Sequence, residues 1–191
     1  MKKSIFSALV ITLVALISTN VAAQEFSPLD KSPMDQATYP SDYKDANKMV
    51  KVTYGRPQLK DRPISKLAPN GDVWRTGANE AAEITLYQDM MLGKQLVKKG
   101  TYTMYTIPGE TSWITILSTD LNVWGSYYYN KKNDVVRISS EKMKDEEKLE
   151  AFSIAFTKEK NDIAMYMGWG NLRTKTIMTP TKQSATVLMK Q

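Results

Sequence analysis

Along this chain, hydrophobic and polar residues alternate with a period of two far more often than with a helical period. Val50, Val52 and Tyr54 interleave with Met49, Lys51 and Thr53, and Ile84 and Leu86 share one alternation within residues 82–87. Gly93-Lys94 separates residues 90–92 from 95–97, as a tight turn would. Further runs occupy residues 101–107, 113–117, 134–139, 151–156, 163–168 and 174–178, with turn signals such as Pro108-Gly109 and Asn161-Asp162 between them. Because successive strand side chains point to opposite faces, Phe152, Ile154 and Phe156 fall on one face and Ala151, Ser153 and Ala155 on the other. The pattern predicts an all-β chain: a single antiparallel β-sandwich or jelly-roll-like domain of about nine strands with long N-terminal loops. Residues 142–149 are the best helical candidate through their Glu–Lys spacing, although the same charge run fits a solvated loop. With no long amphipathic helices between strands, a parallel α/β fold is disfavoured.

The ends of the chain read differently. Lys2 and Lys3 precede an apolar run from Ile5 to Ile17, and Val21-Ala22-Ala23 supplies the small residues a signal peptidase reads. Residues 1–23 are therefore expected to be a removed signal peptide, which makes the protein exported, periplasmic or secreted. The apolar run is short for a membrane span of about 20 residues, so no span is expected after cleavage. Residues 24–48 carry Pro28, Pro33 and Pro40 and read as an irregular lead-in. The sandwich is expected over 49–179, and residues 180–191 as a tail that frays or adds an edge strand.

Composition narrows the chemistry. The 191 residues include no cysteine and no histidine. Disulfides are absent, the usual zinc, copper and iron sites lose their main ligands, and Ser-His-Asp or Cys-His catalysis is excluded. No calcium-loop spacing is present, so neither metal nor cofactor is expected. Eleven methionines raise the question of copper(I), but they are scattered through strands and read as core filling. The formal net charge of +6 falls by two once Lys2 and Lys3 are cleaved, and the remainder is spread along the chain. No basic arm exists for nucleic acid.

What remains is a cluster of directional polar groups in turn-rich sequence. Arg56 follows Tyr54-Gly55, Arg62 precedes Pro63, and Trp74-Arg75-Thr76-Gly77-Ala78-Asn79-Glu80 packs an aromatic, a cation, an amide and a carboxylate into seven residues. Guanidinium groups offer paired donors to carboxylates, phosphates or sugar hydroxyls, so Arg56, Arg62, Trp74, Arg75, Asn79 and Glu80 are candidate ligand-binding residues. The alternative for Arg75 is a loop clamp paired with Glu80 or Asp72. Glu80 is also the obvious candidate acid or base, and Asp134 a candidate second carboxyl for a two-carboxylate hydrolase. Trp124-Gly125-Ser126-Tyr127-Tyr128-Tyr129 reads either as an aromatic platform, with Trp124 or Tyr128 presenting a ring, or as a strand with Tyr127 and Tyr129 on one face.

These residues also carry a family resemblance. Tyr54-x-Arg56-Pro57, Arg62, and Val73 through Glu80 resemble the signature of domain-of-unknown-function family 2911, found in exported proteins chiefly of Bacteroidetes and related bacteria. Gly100-Thr101-Tyr102, Ile107-Pro108, residues 113–117 and Asp134-Val135-Val136-Arg137 fit as well, so the likeness runs from about Ser32 to about Met178. It implies export, one domain and a β-rich fold. It marks Arg56, Arg62, Trp74, Arg75, Asn79, Glu80, Asp134 and Arg137 as motif positions and assigns none of them a role. Asp61 stands where the family often has glycine, which points to an Asp61–Arg62 pairing.

Three functions are consistent with these residues: binding of a small polar or anionic ligand such as a saccharide, carboxylate-based hydrolysis through Glu80, or a structural envelope or protein-interaction module in which the motif is a loop clamp.

Overall fold

A computed structural model describes residues 25–181. The signal peptide read over 1–23, and all of the tail beyond Thr181, lie outside the described residues. The fold is all-β, with nine antiparallel strands in one open, sandwich-like sheet of order β1-β2-β3-β6-β7-β8-β9-β4-β5. The strands are β1 (Met34–Tyr39), β2 (Val50–Gly55), β3 (Ala82–Leu86), β4 (Met90–Leu92), β5 (Gln95–Val97), β6 (Gly100–Ile107), β7 (Ser112–Ser118), β8 (Asp134–Glu159) and β9 (Asp162–Pro180). Among the described residues one short α-helix, α1 (Ile64–Leu67), follows β2, and a 3-10 turn (Lys131–Asn133) precedes β8. Among the described residues no helix is long and apolar enough to cross a membrane.

Three expectations about elements are corrected. The lead-in is not wholly irregular, because β1 lies inside it and pairs along its whole length with β2, from Met34 opposite Gly55 to Tyr39 opposite Val50. Asp35 and Gln36 are weak strand formers, and β1 owes its conformation to that non-local ladder rather than to propensity. Residues 142–149 are neither helix nor loop but part of β8. Finally, the runs at 134–139 and 151–156 join into β8, and those at 163–168 and 174–178 into β9.

The long β8–β9 pair builds the sandwich. Near its N-terminus β8 pairs with β7, and near its C-terminus with the start of β9. Between these ends the register slips twice, at Lys144/Leu149 and Leu149/Ser153, leaving extra residues on β8. Bulges of this kind bend a strand and raise its twist. The bend brings β8 back to the end of β2: Leu59 N–H donates to the Glu150 carbonyl at 3.0 Å and Phe152 N–H to the Pro57 carbonyl at 2.9 Å. Both outer strands, β1 and β5, thereby come against β8, and the sheet closes over its main apolar interior.

That interior centres on aromatics. Trp74 stacks on Trp169 at 5.5 Å and 11° between planes, and meets Trp113 (5.8 Å) and Phe152 (5.0 Å) edge-on. Trp113, Phe152 and Trp169 come from β7, β8 and β9, and all are buried. Met90, Met104, Met165, Met167 and Met178 fill the space around them, as their scatter through strands leads one to expect. A second, smaller cluster of Ala81, Tyr105 and Ile116 lies apart from it, with Val123 and Tyr129 packed against it. Replacing Trp74 by alanine should open a cavity shared by three strands and cost about 3–5 kcal/mol. Chemical denaturation of Trp74→Ala against the parent checks this.

Candidate functional site

The segment that carries Trp74 is held at both ends. Trp74 N–H donates to the Thr106 carbonyl at 2.7 Å and Thr106 N–H returns the bond at 2.8 Å, so Trp74 adds a short bridge beside β6. Thr76 has φ of 54° and Asn79 of 63°. A β-branched residue in the left-handed region is strained by about 1–3 kcal/mol and persists only where its surroundings over-determine it. Thr76 is fully buried, and its hydroxyl bonds that of Thr106 at 2.7 Å. The next turn lies directly on β2. A Cβ at Gly55 would sit 2.3 Å from the Ala78 carbonyl oxygen, and one at Gly77 would sit 2.9 Å from that of Gly55. The glycines in Tyr54-Gly55-Arg56 and Thr76-Gly77-Ala78 are therefore two sides of one backbone crossing.

Beyond the crossing the chain surfaces. Residues 79–83 run against residues 122–125 as a short antiparallel ribbon. Gly125 N–H donates to the Asn79 carbonyl (3.1 Å), Ala81 N–H to that of Val123 (3.0 Å), and Asn122 N–H to the Glu83 carboxylate (2.9 Å). Two adjoining cavities lie beside this ribbon, of about 170 and 250 Å³, and both are lined by Met34, Gly55 and Glu80. The first adds Glu83 and Asn122; the second adds Asp30, Asn79 and Trp124. Glu80 is exposed and, among the described residues, makes no side-chain hydrogen bond or ion pair. Together the cavities form a groove whose floor includes apolar Met34 and Tyr54 and whose charged groups are the carboxylates of Asp30, Glu80 and Glu83.

The sequence candidates divide accordingly. Asn79 and Glu80 are brought together in the groove. Trp74 is in the core and presents no ring to a ligand. Arg56 is committed elsewhere, donating to Asp35 (2.9 Å), the Phe152 carbonyl (3.1 Å) and Ser153 Oγ (2.7 Å), which pins β1 and β2 to β8. Arg62 closes its own turn through the Leu59 and Gln58 carbonyls, and forms no ion pair with Asp61 among the described residues. Arg75 pairs with neither Glu80 nor Asp72, and does not line the groove. Of the aromatic stretch, Trp124, Tyr127 and Tyr128 are exposed at 56%, 77% and 85%. Residues 125–128 form a turn, so the strand alternative for Tyr127 and Tyr129 does not hold.

Asp134 does not meet Glu80. It starts β8 with its side chain 9% exposed, and its Oδ2 accepts from the Tyr129 hydroxyl (2.7 Å) and Arg137 Nε (2.6 Å). Arg137 also donates to the Tyr129 hydroxyl. Tyr129 packs edge-on against Tyr105 at 5.2 Å. Burial, with the charge of Asp120 behind it, pushes the Tyr105 hydroxyl up to about 12, and burial likewise raises Tyr129. This cluster is a buttress that seats the 119–133 loop on the sheet.

Residues 32–178 match the model of a family described as "Protein of unknown function (DUF2911)". The chain belongs to that family. No curated protein and no solved structure matches it. In this DUF2911 chain the groove residues that sequence reading missed are Asp30, Met34, Glu83 and Asn122. Asp30 and Met34 reach the groove only because β1 pairs with β2, and no local pattern announces that. Glu83 was visible as the one carboxylate on a strand running directly out of the motif. Among the described residues, no group of three acidic side chains is arranged to hold a metal.

Two outcomes follow from this geometry. Gly55→Ala should drive the two backbones apart and destabilise the domain by about 1–3 kcal/mol or more, as overpacking does, measured by urea denaturation. Tyr105 titrates above its unfolded value near 10, so its contribution is fully present below pH 10 and is lost as pH rises towards 12. The loss amounts to about 2–3 kcal/mol. Melting curves between pH 9 and 12 should fall less steeply for Tyr105→Phe than for the parent.

Proposed function

We propose that this protein is a binding module for a small polar ligand of saccharide type, working in the exported compartment that its N-terminal segment implies. The observation that carries the reading is the join of Asn79 and Glu80 with exposed Trp124 at one groove, fixed in place by the 79–83/122–125 ribbon. A sugar ring has an apolar C–H face and a rim of hydroxyls. Trp124 offers a flat partner for the first, and Asn79, Glu80 and Glu83 offer acceptors and donors for the second. Because the charged lining groups are carboxylates, the groove favours neutral or amine-bearing sugars over acidic ones. The cavities together approach the size of small-ligand sites, and such sites combine an apolar lining with a few placed polar groups.

Binding is favoured over hydrolysis by Glu80 with Asp134 because Asp134 is spent on Tyr129 and Arg137 and lines neither cavity beside Glu80. The clamp function belongs to the buried part of the same motif, so clamp and binding edge are two halves of one segment.

Of the four tryptophans, Trp74, Trp113 and Trp169 are buried, which makes Trp124 the one open to a collisional quencher. A bound hexose or amino sugar should protect tryptophan fluorescence from acrylamide, and Glu80→Gln should weaken that protection about tenfold, the scale of one charge-assisted hydrogen bond. A panel of neutral and amino sugars that leaves quenching unchanged at millimolar concentration would overturn the reading.

A further inference from the structure

The chain has five arginines, and four of them spend their donors on the protein. Arg56 and Arg62 are described above, Arg137 bonds Asp134 and Tyr129, and Arg173 bonds the Gly170, Leu172 and Glu147 carbonyls. Arg75 stands apart. Among the described residues its side chain donates no hydrogen bond and has no carboxylate within 4.0 Å, and its Nε is buried without a partner. A guanidinium is charged at every accessible pH, so a half-buried one lacking a counter-charge is a standing cost in the folded state.

Its surroundings say where a counter-charge could come from. Trp74 bridges Thr106, which places Arg75 beside Tyr105 on the face away from the tryptophan core. The guanidinium reaches up to the turn that follows Trp124. There Nη1 lies 3.3 Å from the point where a Cβ on Gly125 would stand, and the Tyr127 ring lies 2.6 Å from the same point. Gly125 has φ of 69°, so the turn both requires glycine and keeps that point free of a side chain. Nε is the enclosed nitrogen of the three, while the two terminal nitrogens keep access to solvent. They lie in one plane, at the spacing of two oxygens of a carboxylate or a phosphate.

We propose that Arg75 is an oxyanion receptor, taking the carboxylate or phosphate group of a small ligand at the Gly125–Tyr127 turn. The site is distinct from the groove, which Arg75 does not line. A failure of either reading leaves the other standing.

The test uses the Nε–Hε resonances of the five arginines in ¹⁵N-labelled protein, assigned through bonds in the wild type so that no variant has to fold. Sodium glucuronate and inorganic phosphate are titrated separately at constant ionic strength, with glucose as the uncharged control. The Arg75 signal should move saturably with at least one anion while the other four hold still, and the arm that moves it identifies carboxylate or phosphate. Calorimetry should then show at least a tenfold loss of affinity in Arg75→Lys, which keeps the charge and loses the planar pair of donors. An Arg75 signal indifferent to both anions overturns the proposal. So does one that moves with glucose, five signals that drift together, or undiminished binding by Arg75→Lys.

Discussion

The structure depends on the stacking of Trp74 against Trp169, with Trp113 and Phe152 set edge-on around the pair. Each of the four rings comes from a different segment, and three are fixed in strands. Trp74 is not: it rides on a connection that would otherwise be a surface loop. Burying that one indole draws the connection onto the sheet, and everything distinctive about the neighbouring residues follows. Thr76 accepts a left-handed backbone because the chain must turn sharply once the ring is seated. Gly55 and Gly77 are needed because the turn then runs into β2. The aromatic contact thus sets the backbone path, and the path decides which side chains re-emerge at the surface.

Much of the fold was legible because it is local. Period-two alternation marked β2, β3 and β6, and a two-residue turn marked the β4–β5 hairpin, since those signals arise within one strand and its nearest neighbour. What escaped was non-local. β1 has a polar, unremarkable sequence and becomes a strand through its ladder with β2. Residues 142–149 show a helical charge spacing, yet their place in a ribbon with β9 overrides it. Both cases show tertiary pairing prevailing over propensity.

The candidate residues stand close together in the sequence, and the structure sends them to different places. The sequence set Arg56, Arg62, Arg75 and Trp74 beside Asn79 and Glu80 as one polar cluster. The structure separates them by direction: Trp74 goes inward, Arg56 reaches across to β8, Arg62 folds back on its own turn, and Asn79 and Glu80 face out. A residue's type tells what it can bond, but the partner is chosen by where the backbone aims it. For Arg56 the decisive acceptor is a carbonyl almost a hundred positions away, and no spacing rule could have named it.

The β8–β9 ribbon belongs to both layers of the sandwich. With two slips of register on the way, its pairings lead from β7 through β8 and β9 to the β4–β5 hairpin, so the two layers share strands instead of merely touching. Such layers have no seam along which to part. Among the described residues, parting the layers to admit a ligand would therefore mean breaking the β8–β9 ladder itself.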